Sequence, residues 1–377
     1  MTTRPKVLLV DTLSATNDFG VELPLALAEY VDLTVFTLRG TRLSSQPGMA
    51  VLIAFPEFGG ARSKLQKLGT QIVATCQLAR ALWAYRRDVI HVQAFRSITL
   101  ELPLYTLLRP FLKNLVCTVH NALPHERSWW QPLAYGHWYR MLHLAHVLSE
   151  HTGQALVARF GMRQERILYA PHGNYEAFLK AFPPAPSHQT RAVLGLVQDH
   201  ALILFFGLIR QYKGVDLLIA AAQRMQSSQV TILIAGSCED DMRAEINQAL
   251  GKSVSRPRID VRFGFVEQQT LSDYLAAADI VVFSYRHIYQ SGALLLAMTY
   301  GKAIVASDIA GFREYVLPGE TAVLCDVNDT QALATVLDHL AADPGARARL
   351  GSNALQAANT TYAWANIART IVKGYAP

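Results

Sequence analysis

Short apolar runs alternate with longer amphipathic stretches along this chain, and that rhythm breaks only once. KVLLV (6–10), VDLTVFT (31–37), DVIHVQ (88–93) and NLVCTVH (114–120) predict buried strands that end in polar or special residues. Between them, stretches 22–29 and 62–87 carry apolar residues at helical spacing. Such alternation predicts a doubly wound parallel sheet. A Pro-rich polar stretch, AFPPAPSHQTR (181–191), then intervenes and reads as a linker. The rhythm restarts with ALILFFG (201–207), VTILIAG (230–236), IDVRFGF (259–265), DIVVFSY (279–285) and KAIVASD (302–308). The expected fold is α/β, two Rossmann-like domains facing each other across a cleft. They cover residues 1–182 and 190–359. A terminal helix over 360–377, with Tyr362, Trp364, Ile367 and Ile371 near one face, could pack on either domain, the first included.

A chain of 377 residues suits two domains, and 51% hydrophobic with 17% charged residues is enough for large cores and argues against disorder. No apolar run reaches the ~18–20 residues of a membrane-spanning helix. MTTRPKVLLVD reads as a first strand rather than a signal peptide, which points to the cytoplasm. Cys76, Cys117, Cys238 and Cys325 lack metal-ligand spacing and are expected to be buried small hydrophobes. A net charge of +6 suits a phosphorylated substrate, an anionic membrane or nucleic acid. The basic residues are scattered, however, and no nucleic-acid-binding pattern is present.

Ligands of doubly wound domains bind at the carboxyl edges of the strands, so an interdomain cleft is the expected site. Four segments carry candidate chemistry. In FFGLIRQYKGVDLLIAA (205–221) a strand ends at Gly207, and Arg210 and Lys213 precede a helix opened at Gly214. Two cations beside a positive helix N-terminus suit a diphosphate, and a plain basic surface loop has the same spacing. In FSYRHIYQSGALLLAMTYGKAIVASDIAG (283–311), Gln290, Ser291 and Gly292 lie between a strand and an apolar run. They could offer amides and side chains to phosphate or sugar, or Ser291 could simply cap a helix. His120 ends a predicted strand, with His125 and Glu126 close by, as acid, base or sugar ligand; metal is disfavoured because no third ligand is apparent. In ILYAPHGNYEAF (167–178), His172, Gly173, Asn174 and Tyr175 lie just before the linker, and the Gly173-Asn174 pair suggests a tight turn.

In this order and spacing the segments resemble the GT-B glycosyltransferases, family 4 and its relatives, over nearly the whole chain and best over 203–325. The resemblance implies a nucleotide diphosphate sugar as donor and no cofactor or metal. Arg210 and Lys213 would hold the donor diphosphate, and Ser291 and Gly292 would offer backbone amides. His120 would reach the transferred sugar. Gly20, in the loop after the first strand, would lie near acceptor or donor phosphates, and Glu314 in GFREYV on the second-domain side. Most family 4 members carry two glutamates where this chain has Ile288 and Leu296, and Gln290 is the candidate replacement. The variants TVHNALPHE, PHGNY, FGLIRQYKG and YRHIYQSG are more similar to a subgroup acting on lipid-linked exopolysaccharide intermediates, as in xanthan-type β-mannosyltransferases that use GDP-mannose and invert. An inverting enzyme needs a general base, for which His120 or Glu126 could serve.

The expected function is thus hexose transfer from a GDP- or UDP-sugar to a glycan or polyprenyl-diphosphate-linked acceptor in cell-surface glycan synthesis. The alternatives are a sugar-nucleotide epimerase and a non-catalytic sugar-nucleotide-binding protein. Arg62, Lys64, Lys67, Arg80, Arg86 and Arg87 surround an apolar helix, and Trp129, Trp130, Tyr135, Trp138 and Tyr139 crowd one segment. This mixture suits a peripheral site on an anionic membrane, here the inner face of the plasma membrane; a solvated helix face with an aromatic core gives the same pattern.

Overall fold

The computed structural model describes residues 4–12, 18–55, 64–95, 97–123, 128–251, 257–288 and 291–376. These form two compact units, residues 1–173 with 362–377, and residues 174–361. The chain passes from one unit to the other at Gly173–Asn174, so the Pro-rich stretch 181–191 lies inside the second unit and partly forms the helix Ser187–Val193.

The first unit is built on seven parallel strands: β1 (Lys6–Asp11), β2 (Asp32–Leu38), β3 (Met49–Phe55), β4 (Val89–Ala94), β5 (Asn114–Val119), β6 (Leu144–Val147) and β7 (Ile167–Tyr169). Their order is β3-β2-β1-β4-β5-β6-β7. The second has six: β8 (Ala201–Phe206), β9 (Val230–Gly236), β10 (Arg258–Phe263), β11 (Ile280–Phe283), β12 (Ala303–Ser307) and β13 (Val323–Cys325), ordered β10-β9-β8-β11-β12-β13. In each sheet the first strand is central and the order reverses beside it, between β1 and β4 and between β8 and β11. That reversal opens a crevice at the carboxyl edge where ligands of such sheets bind. The central strands β8 and β9 are buried at every residue, which is why they read as unbroken apolar runs. The strands that apolar patterning does not reveal are β3, at the sheet edge, and β6, β7 and β13, each too short to display a period.

Trp364, Ile367, Ala368, Ile371 and Tyr375 recur at helical spacing on Trp364–Gly374 and its cap, and bury one face of that helix in the core formed by Val7, Leu9, Leu23 and Leu27. A directed chain of polar groups anchors its far end. His146 Nε2 lies 2.8 Å from the Ala170 carbonyl and must donate to it. His146 Nδ1 therefore accepts from the Thr118 hydroxyl at 3.0 Å. Thr118 in turn accepts from His91 Nε2 at 2.8 Å, and His91 Nδ1 accepts from the Tyr375 hydroxyl at 2.6 Å. Each proton has one place, and both imidazoles are neutral.

Burial pushes His91 well below its ordinary value and His146 down to about 4. Depressed folded values mean that the unfolded chain takes up protons first as pH falls. Stability is expected to be intact above pH 6.5 and to fall by on the order of 1 kcal/mol per histidine per pH unit below it. Urea midpoints at pH 7.5, 6 and 5 measure this, and unchanged midpoints would contradict the neutral assignment. Among the cysteines, Cys117 and Cys325 are buried as expected, whereas Cys238 is partly buried and Cys76 exposed; all four are free.

Candidate functional site

The loop after β8 is shaped by two glycines. Gly207 has φ +95° and Gly214 φ +64°, in the left-handed region that side chains avoid. Between them Gln211–Lys213 forms one 3-10 turn, and Gly214 opens the helix Val215–Ala222. A side chain at Gly214 would meet the Ser284 carbonyl at 2.0 Å. The Ser284 hydroxyl reaches back to the Gly214 carbonyl at 2.8 Å, so the end of β11 and the β8 loop interlock. Arg286 reinforces this. Its amide donates to the Tyr212 carbonyl at 2.7 Å, and its guanidinium reaches the Gln211 carbonyl and Asp216.

Lys213 turns inward. Its Nζ sits 3.3 Å from where a Gly207 Cβ would be and 5.4 Å from the centre of the Tyr285 ring. Burial pushes its pKa down to about 8, and no carboxylate pairs with it among the described residues. Lys302 is depressed equally, but its ammonium donates to the Ala276 and Ala278 carbonyls at 2.9 Å each. The lowered pKa is therefore common to both lysines; what sets Lys213 apart is a cation at a strand's carboxyl edge with no carboxylate partner among the described residues. Arg210 differs from its expected twin, being exposed and ion-paired with Glu239.

Ser291 is the N-cap of the helix Gly292–Thr299, and its hydroxyl accepts the Leu294 amide at 3.3 Å. The capping role is thus realised, and an anion here would be met by backbone amides of the first turn, which have no intrahelical acceptor. Gln290 lies outside the described residues, as do His125, Glu126 and Arg62. Ile288 is half-buried, and its carbonyl lies 2.1 Å from a Cβ placed on Gly311, so glycine is needed there. Leu296 is buried in the core. Glu314 follows β12 and caps the short helix Ala310–Arg313.

In the first unit, His120 follows β5. Its Nε2 is buried with no hydrogen-bond partner among the described residues, and its ring packs edge-on against Phe19 at 4.9 Å. Burial, with help from His172 and His146, pushes its pKa down to about 3. Burial thus favours the neutral form of the His120 imidazole.

Three sequence expectations change here. Gly20 lies within the first turn of the helix Asp18–Ala28, not in a loop. Gly173 serves packing rather than a tight turn: its φ is not positive, and a Cβ would stand 2.3 Å from the Trp364 ring. His172 donates from Nδ1 to the Gly173 carbonyl at 2.6 Å and packs on Phe19 and Trp364, while Asn174 is buried and donates to the Ala358 carbonyl at 3.1 Å. Trp138 and Tyr139, grouped above with membrane-facing aromatics, are core residues at 1% and 3% exposure. Among the described residues no group of three His, Cys, Asp or Glu could hold a metal ion.

Comparison with known proteins finds a family model that matches part of the chain. Residues 200–343 match the family described as Glycosyl transferases group 1. The D-inositol 3-phosphate glycosyltransferase of Xylanimonas cellulosilytica is 32% identical over 235 residues, 60% of this chain and 55% of that protein. The GDP-mannose:glycolipid 4-beta-D-mannosyltransferase of Xanthomonas campestris pv. campestris is 27% identical over 234 residues, 61% of each chain. These matches thus span less than two thirds of either relative. Among solved structures, Anabaena HepE in complex with UDP and glucose aligns with a TM-score of 0.72 at 20% identity, over 98% of this chain and 99% of that one. The sucrose-phosphate synthase of Thermosynechococcus elongatus aligns with a TM-score of 0.72 at 22% identity, over 99% and 98%. The chain has the fold of the GT-B glycosyltransferases, two parallel-sheet α/β domains.

Proposed function

We propose that this protein is a glycosyltransferase that moves a hexose from a GDP- or UDP-sugar to a glycan or lipid-linked acceptor. One observation carries the reading: the Lys213 ammonium, half-buried and with no carboxylate partner among the described residues, lies in a loop at the carboxyl edge of β8. The loop falls within the segment that matches Glycosyl transferases group 1. A departing nucleoside diphosphate carries the charge such a cation lacks, and stabilising that leaving group is the largest electrostatic task in sugar transfer. Arg210 and the amides of Ser291 and Gly292 are assigned to the same donor, with Gln290 and Glu314 beside it. His120 is assigned to a hydroxyl of the transferred sugar, and His120 or Glu126 is the candidate base if the reaction inverts. His172 and Asn174 are assigned positioning roles through their hydrogen bonds and packing.

The test is a thermal-shift screen over UDP-, GDP-, ADP- and TDP-sugars, followed by product NMR with an acceptor. Stabilisation by one donor class and acceptor-dependent release of free nucleotide are expected. Nucleotide release without any binding preference, donor turnover without acceptor, or binding without release would each remove the assignment; the second is epimerase behaviour and the third that of a binding protein.

A lipid-linked acceptor is favoured by the surface of the first unit. Trp83, Leu107 and Phe111 are 46%, 73% and 55% exposed, with Arg86 stacked 4.6 Å over the Trp83 ring, and Trp129 and Leu133 are 86% and 72% exposed. No helix among the described residues is long and apolar enough to cross a membrane, so contact would be interfacial. In liposome flotation the protein is expected to rise with anionic vesicles and to stay down with neutral ones. Trp83→Ser/Phe111→Ser is expected to reduce the floated fraction several-fold, and equal flotation of wild type with both lipids would refute the electrostatic part.

A further inference from the structure

We infer that Tyr175 is a donor-positioning residue whose hydroxyl contacts the distal phosphate of the nucleoside diphosphate at the start of the Gly292–Thr299 helix. The inference rests on the donor assignment above and extends it to a residue outside both donor segments.

The argument begins with Gly292. A Cβ on this residue would stand 2.3 Å from the Tyr175 hydroxyl oxygen and 3.4 Å from its Cζ. The phenol oxygen thus lies directly over the first residue of the helix, at a distance only glycine permits. The far end of the tyrosine is fixed as well. Its amide donates to Thr299 Oγ1 at 3.1 Å, and the preceding Asn174 is held by the Ala358 carbonyl at 3.1 Å. Thr299 Oγ1 donates onward to the Leu295 carbonyl at 2.8 Å, so both its roles are filled. Gly292 and Thr299 are seven residues apart, on one face of the helix. Tyr175 therefore runs along that face against the helix direction, with backbone at the C-terminal end and hydroxyl at the N-terminal end.

This placement sets a hydroxyl among the amides that an anion would use. The Ser291 hydroxyl accepts the Leu294 amide as the helix cap, and the Tyr175 hydroxyl adds a further donor over Gly292. The Gly292 and Ala293 amides have no intrahelical acceptor, and the helix dipole adds positive potential there. A phenol O–H in this position donates to a phosphate oxygen as a charge-assisted bond. Its rigid attachment lowers the ordering cost on binding.

Tyr175→Phe removes the oxygen and keeps the ring packed along the helix. Binding of UDP, GDP, UMP and GMP to wild type and variant is measured by calorimetry. The expected result is an affinity for the preferred diphosphate at least ~10-fold lower in Tyr175→Phe, with monophosphate affinity unchanged and melting temperature preserved. Equal weakening for mono- and diphosphate would mark a structural role and overturn the inference, as would unchanged diphosphate affinity. Wild-type protein that binds none of the four would instead overturn the donor assignment on which the inference rests. A second pair of variants tests the geometry through stability alone. Gly292→Ala is expected to lower the melting temperature, and adding Tyr175→Phe to restore it, because the nearest ring atom is then 3.4 Å from the new methyl. Failure of that restoration would overturn the placement of the hydroxyl.

Discussion

In Lys213→Ala, kcat/KM for the nucleotide sugar is expected to fall by about 10²–10³-fold, the loss typical of removing one preorganised charge stabiliser. Stabilisation by free nucleoside diphosphate should disappear with it. Lys213→Met separates charge from packing, since it keeps the apolar stem between Gly207 and the Tyr285 ring and deletes only the ammonium. It should match alanine in activity while melting close to wild type. Lys213→Arg is expected to rescue poorly. A planar guanidinium does not reproduce the position or the compact charge of the ammonium.

The same lysine predicts a pH dependence whose sign follows from its burial. With a pKa near 8 in the free protein, Lys213 is mostly protonated at pH 7 and loses its charge as pH rises through 8. The charged form binds phosphate, and a bound diphosphate raises the lysine's pKa. Affinity should therefore hold below pH 7.5 and weaken above 8, with proton uptake on binding near pH 8. Calorimetry in buffers of different ionisation enthalpy reads that uptake directly. No uptake, with affinity flat to pH 9.5, would show that the ammonium does not meet the phosphates.

Gly214→Ala should have the largest effect on stability. Two costs combine: a left-handed φ of +64°, and a methyl 2.0 Å from the Ser284 carbonyl. The first is worth ~1–2 kcal/mol. The second cannot be relieved by a side-chain rotation, because the atom it meets is backbone, and overpacking of this kind adds roughly 1–3 kcal/mol. The sum of ~2–5 kcal/mol corresponds to a fall of roughly 5–15 °C in melting temperature for a domain of this size. Because Ser284 also bonds the Gly214 carbonyl, the strain is transmitted to Lys213, and diphosphate affinity should fall together with stability. Gly319→Ala is the control: its φ is +79° but nothing lies within 4 Å, so only the conformational cost applies. Equal melting temperatures for the two variants would disprove the interlock between the β8 loop and the end of β11.

Chain order and composition determined a great deal. Both sheets were legible because their central strands are buried on both faces and so are written as unbroken apolar runs. The loop of Arg210 and Lys213 was legible because glycine and cation at a strand-helix junction leave a local trace. The alternation of elements also places that loop at the point where the sheet order reverses.

What needed tertiary structure are relations between residues far apart in sequence, which no local pattern encodes. Arg210 and Lys213 look equivalent as letters, yet Glu239 pairs with the first, and the second has no carboxylate partner among the described residues. Gly173 looks like a turn residue and is needed instead because Trp364 packs on its Cα. The burial of His120, which lowers its pKa, is likewise invisible in the sequence. Tyr175 ends the PHGNY segment, but the position of its hydroxyl over Gly292, more than a hundred residues later, is visible only in the folded chain. Periodicity determines which faces are buried, because the hydrophobic effect acts residue by residue. The pairing of particular charges, hydroxyls and glycines depends on how those faces meet, and only the folded chain decides that.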